Sequence, residues 1–573
     1  MTVVINVKDD FRRVKSKRQW RPLKAPLLLP LFLFAFFGAA IVHIIVDQYP
    51  RVDLWRVFDP FPKNIVREYR TYDARFDSSV DSELAGKIKT DMKAMKLEEI
   101  PRFSFTGDAE TRIAVTGKSD ESFLFSSYLV PVGHHYWVKN ELKSSELLSK
   151  EILVSMGDAE FVKTILNEKF GEKQWIIKES EDLVSALETA NEKKNLGLVK
   201  VEHLSYEMQV LKLDGAYFLD NPVKGGINYG IAIVGEVPEH ITKAVYNNTA
   251  DVRVGEFGTA KVAKINMTGV TAISRSLAPK ITASGDAGYP AQKIKEFLKD
   301  ADLTHTSNEV SFVDGCIPGG GMRFCAKPEY IKALQDIGLD IVELTGNHNN
   351  DYGALANKSS IERYTKLGID HFGGGLDSED ASKILVKDVK GSKIAFLGYN
   401  YYDTILGTGA LAGVERAGAN SYSVKKMESD IKEAKTQADV VIVDFQFQEC
   451  YSYPPSDVIY PICYKPLSSP DQKAVFRKAI DLGADIVIGT QAHQPQTFEI
   501  YNGKLIYYGL GNLFFDQIPW IGTRQGLVLT HYIYNGKLIQ TRITTTLYDS
   551  DMRTYVTTGS ERELLLNLLK AAR

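Results

Sequence analysis

Cysteine is scarce in this chain, with four among 573 residues, too few for a fold held mainly by disulfides. No two of them form a Cys-x-x-Cys pair, so the usual signature of a four-cysteine zinc site is missing. An excess of charge of either sign is also missing. The net charge is −3 and no basic stripe follows the N-terminus, so nothing points to nucleic acid as a partner. Internal repeats and low-complexity tracts are absent as well, which excludes solenoids. Long apolar runs are lacking with one exception, the uncharged stretch 25–46.

At about 1.5 Å per residue, that stretch reaches roughly 33 Å, enough for a bilayer core. Lys8, Arg12, Arg13, Lys15, Lys17, Arg18, Arg21 and Lys24 precede it, and such a flank stays cytoplasmic. The expectation is a cytoplasmic segment 1–24, a single-pass membrane anchor 25–46, and a remainder outside the cytoplasm. A cleaved signal peptide is the alternative, because Gly38-Ala39-Ala40 places small residues after the apolar run. Export makes two local disulfides the expected use of the cysteines, Cys316 with Cys325 and Cys450 with Cys463.

What remains is ordinary globular protein, 44% hydrophobic and 25% charged, long enough for two or three domains. Residues 47–75, rich in Pro, Arg, Asp and aromatics, read as a linker. Residues 76–245 read as a smaller α/β domain. There Ser180 offers an N-cap, Leu183, Val184, Leu187 and Ala190 share a helical face, and strands are expected at 197–201 and 208–213. This rhythm loosely resembles exported substrate-binding proteins. His134-His135, with no carboxylate nearby, is expected in a surface loop rather than at a metal.

From 260 to 573, strands expected at 303–306, 341–345, 394–399, 440–445, 486–488 and 505–508 alternate with helices at 328–337, 423–436 and 472–482. That alternation marks a layered α/β domain. Asn502-Gly503 and Asn535-Gly536 signal hairpins, and Ser560 with Glu563 reads as a capping box for a closing helix. Polar residues gather where these strands stop: Ser307-Asn308-Glu309; Gly346-Asn347-His348 with Asp351; Gln446 with Glu449; Gln491 with His493; and Glu499 with Asn512. Such convergence at strand ends is the layout of an α/β active site. His348 and His493 are the candidate general acid and base, since imidazole titrates near neutrality, with Glu309 and Glu449 to orient them. Asn308, Asn347, Gln446, Gln491 and Asn512 are candidate substrate-binding groups. Arg275 and Arg524 can pair with a carboxylate or phosphate.

Gly489 with His493, then Glu499-x-Tyr501, then Gly511-Asn512 resembles the signature of the CapA family of bacterial capsule (poly-γ-glutamate) synthesis proteins. So do Asp302 through Glu309, Asn347-His348 through Asp351 and Gly353, and Glu449 with Tyr451, all in family order over residues 262–530. The resemblance implies a metallophosphatase-like α/β fold and a role in capsule or surface-polymer biosynthesis, as a hydrolase or transferase. It implies an anionic polymer and other capsule-synthesis membrane proteins as partners. It also implies a divalent Mn, Zn or Fe at Glu309, Asn347, His348, Glu449 and His493. Three departures stand against that metal. Val270 replaces an aspartate, and Gln446 and Gln491 replace histidines, which leaves neutral amides where imidazoles would bind. A metal is therefore expected to be weakly held or absent. Asp286 is either a replacement carboxylate or a turn residue. Two further readings stay open, a non-catalytic polymer- or anion-binding module and a metal-dependent phosphoesterase.

Overall fold

Side chains alternate across a strand, and in the central strands of the C-terminal half both faces are apolar. In the strand Val440–Gln446, Val440 and Ile442 enter one core while Val441, Val443 and Phe445 enter another. In Ser392–Asn400, Ile394 and Phe396 enter the first and Ala395 and Leu397 the second. Strands buried on both faces must be covered on both, so the sequence calls for two sheets face to face with helices outside.

The computed structural model describes residues 71–94, 102–105, 107, 109–118, 123–235, 237, 242, 245–247, 256–407, 409–447 and 472–573. The expected segment 1–24, the expected anchor 25–46, and Glu449, Cys450 and Cys463 lie outside them. Among the described residues no helix is long and apolar enough to cross a membrane.

One sheet of the C-terminal half runs in the order β4 (Asp370–Phe372), β3 (Ile341–Glu343), β2 (Leu303–Asn308), β1 (Val262–Thr271), β12 (Gln525–Tyr534), β13 (Lys537–Tyr548), β14 (Thr554–Val556), with β11 (Asn512–Phe514) also paired to β1. The other runs β5 (Leu385–Val389), β6 (Ser392–Asn400), β7 (Val440–Gln446), β8 (Ile486–Gly489), β10 (Lys504–Tyr507), β9 (Phe498–Tyr501). Strands β1 to β4 are parallel, as are β6, β7, β8 and β10. Ile265, Met267, Leu303, Ile341, Ile442 and Ile488 form the layer between the sheets. Helices α1 (Leu277–Ser284) and α2 (Ala354–Lys366) cover the first sheet. Helices α3 (Val424–Gln437) and α4 (Gln472–Asp481) cover the second. The result is a four-layer helix–sheet–sheet–helix stack, matching the expected layered fold.

Three ionisable side chains sit within the apolar layer. His305 Nε2 lies 3.3 Å from Asp444 Oδ2, and Glu343 accepts from the Thr345 N–H at 2.7 Å. Burial pushes both the Glu343 and Asp444 carboxyls above the ordinary carboxylate range.

The first half forms a mixed nine-stranded sheet between Thr71 and Val234. Its first strand, Thr71–Phe76, begins inside the expected 47–75 linker, because Thr71 to Ala74 pair in parallel with Arg102 to Phe105. The expected N-cap also moves. Ser180 closes the strand Ile176–Ser180, and Asp182 caps the following helix by accepting from the Ser185 N–H at 3.0 Å.

Both expected hairpins form with positive φ at each turn residue: Asn502 48° and Gly503 64°, Asn535 49° and Gly536 74°. That is the type I′ geometry. The final helix, α5 (Gly559–Ala571), starts one residue before Ser560, which therefore lies in the first turn and does not cap it. His134 and His135 are not on the surface. They lie 2% and 4% exposed where the first sheet meets the second half, and His135 Nε2 is 3.0 Å from the Tyr507 hydroxyl.

Burial lowers His134 to about 4 and His135 and His531 to about 3, from 6.5. The unfolded chain therefore binds these protons first, and stability falls as pH drops from 6.5 toward those values. Denaturant midpoints measured across that window should decline, and His135→Gln should decline less steeply. Parallel curves for the two proteins would count against this account.

Candidate functional site

The parallel strands of both sheets open onto one edge, and the loops beyond them carry the polar residues. Glu309 follows β2, and Gly346 follows β3. A Cβ on Gly346 would collide with the Glu309 backbone, so a glycine there lets these two loops close on each other. From the opposite sheet, Gln446 at the end of β7 donates from Nε2 to Asn347 Oδ1 at 2.8 Å. His493, in the loop after β8, places Nε2 3.7 Å from Glu309 Oε1. The structure thus joins Glu309, Asn347, His348, Gln446 and His493 across the two sheets.

Each histidine is held by Nδ1. His348 Nδ1 lies 2.8 Å from Asp351 Oδ2, and a carboxylate can only accept, so Nδ1 carries the proton. Asp351 Oδ2 also receives the Phe324 N–H at 2.7 Å. His493 Nδ1 lies 2.9 Å from Asn512 Oδ1. The Asn512 amide nitrogen donates to the His493 and Thr523 carbonyls at 3.0 and 2.9 Å, which fixes Oδ1 as the acceptor. Both rings therefore address the site through Nε2. Burial pushes His493 down to about 4; the bond to Asn512 opposes this, and the neighbouring His348 and Arg275 reinforce it. His493 is neutral, and so a competent base, above that pH.

An aromatic ladder joins the two histidines. The His348 ring is 4.0 Å from Phe324. The Arg275 guanidinium lies 4.7 Å over Phe324 and 4.9 Å over Phe515. Phe515 is 5.2 Å from His493. Arg275, at φ 44°, is ion-paired to Asp516 through Nε at 3.0 Å. The second Asp516 oxygen takes the Ser276 N–H and hydroxyl at 2.9 and 2.8 Å. The expected Cys316–Cys325 disulfide is present, with Cα atoms 6.0 Å apart, and closes the loop that carries Phe324. Beside Arg275 opens a groove of about 570 Å³ between this loop and residues Asp516 to Trp520.

Other expected site residues have different partners. Asn308 donates to the Val310 carbonyl at 2.6 Å and accepts from Thr271 at 3.1 Å, which fixes the exit from β2. Asn512 positions His493. Arg524 donates to the Tyr548 carbonyl at 3.1 Å and is not among the groove residues. Glu499 pairs with Arg477 on α4 at 2.8 and 2.7 Å, so the expected Glu499–Asn512 grouping does not form. Asp286 serves its own turn, accepting from the Gly288 N–H at 2.8 Å. Gln491 is buried in the loop after β8. Phe324, Phe515 and Asp516 were not singled out from the sequence, although Phe514-Phe515-Asp516 begins one residue beyond the Gly511-Asn512 motif.

Among the described residues, which do not include Glu449, the donors do not fit a dinuclear metal site. Val270 is apolar and fully buried. Gln446 turns an N–H toward Asn347, the wrong polarity for a cation. Among the described residues no three His, Cys, Asp or Glu side chains converge as a metal would need.

Residues 264–517 match the family model described as bacterial capsule synthesis protein PGA_cap. This segment is similar to the capsule-synthesis proteins of the CapA family. Its similar proteins include the capsule biosynthesis protein CapA of Bacillus anthracis, 33% identical over 215 residues, which are 37% of this chain and 48% of that one. The PGA biosynthesis protein CapA of Bacillus subtilis is 31% identical over 205 residues, 36% and 50% of the two chains. The chain spans about half the length of the curated relatives it matches. Among solved structures, an ABC-type phosphate transport receptor from Vibrio cholerae aligns over 32% of this chain and 95% of that one, at 9% identity and a TM-score of 0.24, too low to support an argument.

In the matched segment, Val270→Asp with Gln446→His and Gln491→His should supply metal donors at these positions. Elemental mass spectrometry of the purified protein should then find about one or two equivalents of a transition metal, against far less in the unsubstituted chain. Equal loading of both would show that the altered positions are not the ones that decide metal binding.

Proposed function

We propose that this protein acts in the biosynthesis of a bacterial capsule or related surface polymer of the poly-γ-glutamate type. It would act from the outer face of the cell membrane, anchored by residues 25–46, beside other capsule-synthesis membrane proteins. The named CapA relatives support the process. One observation carries the chemistry: two histidines from different strand ends, each held by Nδ1, both directing Nε2 into one site beside an arginine.

In this reading His493 is the base. Its Nε2 takes the proton from an attacking water or amine as that nucleophile adds to an amide or phosphoester of the chain. His348 is the acid, giving its Nε2 proton to the leaving group, with the Asp351 carboxylate as counter-charge for the imidazolium form. Glu309, 3.7 Å from His493, orients the nucleophile. No step runs through a metal.

A second reading, a non-catalytic polymer-binding module, draws support from the Gln446–Asn347 hydrogen bond, which fills a family metal position with a neutral amide pair. The two readings separate on one variant. His348→Ala with His493→Ala, expressed at the normal level and folded, should lower surface-polymer output by about a hundredfold or more, the typical weight of general acid–base catalysis. Unchanged polymer from that variant would remove the catalytic reading and leave the binding one.

A further inference from the structure

The groove beside Arg275 has walls that the fold itself does not explain. One wall is the disulfide-closed loop, where Gly319, Gly320 and Gly321 run in sequence. Of the three, only Gly321 needs its glycine for conformation, at φ 102°. A Cβ on Gly320 would meet nothing within 4 Å, and one on Gly319 only the Ile317 carbonyl at 4.0 Å. Neither packing nor backbone geometry calls for glycine at 319 or 320. What glycine leaves there is a bare peptide edge open to an incoming chain. Among the described residues, neither N–H donates to a protein acceptor.

Trp520, with its broad apolar side chain, and Arg275 line the same groove. Arg275 is pinned by Asp516 and by its two phenylalanines, so its guanidinium is already fixed in place, and a guanidinium has five donors. The ion pair accounts for Nε and one Nη2 hydrogen. A pinned cation, a bare peptide edge and an indole lining one groove suit an extended chain with side carboxylates.

We propose that this groove is the subsite for a carboxylate-bearing extended chain. One carboxylate sits on Arg275, and the backbone passes between Gly319-Gly320 and Trp520. The proposal rests on the polymer reading given above and adds where and how the polymer is held. Because Arg275 also belongs to the ladder between His348 and His493, it sets which stretch of chain faces the histidines. Asp516 competes with the ligand for Arg275 and so limits affinity.

Calorimetric titration of the full chain in detergent with a synthetic γ-linked glutamate decamer tests this, with poly(glycerol phosphate) as a second probe. Arg275→Gln should weaken decamer binding about tenfold or more, the worth of one charge-assisted contact. Trp520→Ala should weaken it severalfold. Asp516→Asn, which keeps an acceptor for Ser276 but removes the competing charge, should tighten it; a merely structural role for Asp516 would not. Equal affinity across the three variants, with binding lost instead in His348→Ala plus His493→Ala, overturns the groove and leaves the polymer reading standing. Absence of decamer binding to the unsubstituted chain overturns both. Binding of the phosphodiester chain in place of the decamer overturns the carboxylate assignment.

Discussion

The packing of two mixed sheets, each with a parallel centre, face to face across one apolar layer is the constraint from which the site follows. Each sheet alone would bring a row of loop residues to its own edge. Only because Ile265, Leu303 and Ile341 of one sheet meet Ile442 and Ile488 of the other do the loops after β2 and β3 reach those after β7 and β8. The polar character rises along the strands toward that edge. In β2 the inward series is Leu303, His305 and Ser307, leading to Glu309; in β7 it is Val440, Ile442, Asp444 and Gln446. The site is the outer end of a gradient that begins inside the sandwich.

Much of this was legible from residue order. The apolar runs of the second half became strands within a few residues of their expected limits, because strands buried on both faces leave little freedom in period or length. The Asn-Gly turns formed because few other residue pairs accept two positive φ angles. Placing His348 and His493 at strand ends needed only that both follow buried parallel strands. Partner choice was less legible. Asn308 and Asn512 look alike in sequence as loop amides, yet one turns its own backbone and the other holds a histidine ring. Which of these an asparagine does depends on which loop lies opposite, and that is decided by the sheet-to-sheet packing rather than by neighbours in sequence. His134 and His135 failed as surface residues for the same reason: the face that buries them comes from residues near 500. The inward His305 and Asp444 could have been found, since a charged residue at the parity of core isoleucines is a visible anomaly.

The uncharged residues at 270 and 446 have a local rationale. Removing an imidazole from a metal position and leaving a carboxylate-rich hole would leave unpaired buried charge, which is costly. Here glutamine at 446 finds an amide partner in Asn347, and valine at 270 joins the apolar interior. Both positions are thus filled by uncharged groups with contacts of their own. What the altered edge retains is a histidine pair whose orientation depends on Asp351 and Asn512.

The last helix also bears on how the molecule is made. Helix α5 sends Arg562 to the Val138 carbonyl at 2.6 Å, and its Leu569 carbonyl accepts from Thr497 at 2.8 Å. Leu565, Leu566 and Leu569 fill the same core as Tyr136 and Val138. The seam between the two halves is therefore completed by residues synthesised more than four hundred positions after those they cover. During synthesis that seam stays open, with His134, His135 and Tyr136 uncovered, until α5 has been made. Packing of α5, rather than formation of either sheet alone, is what closes the seam.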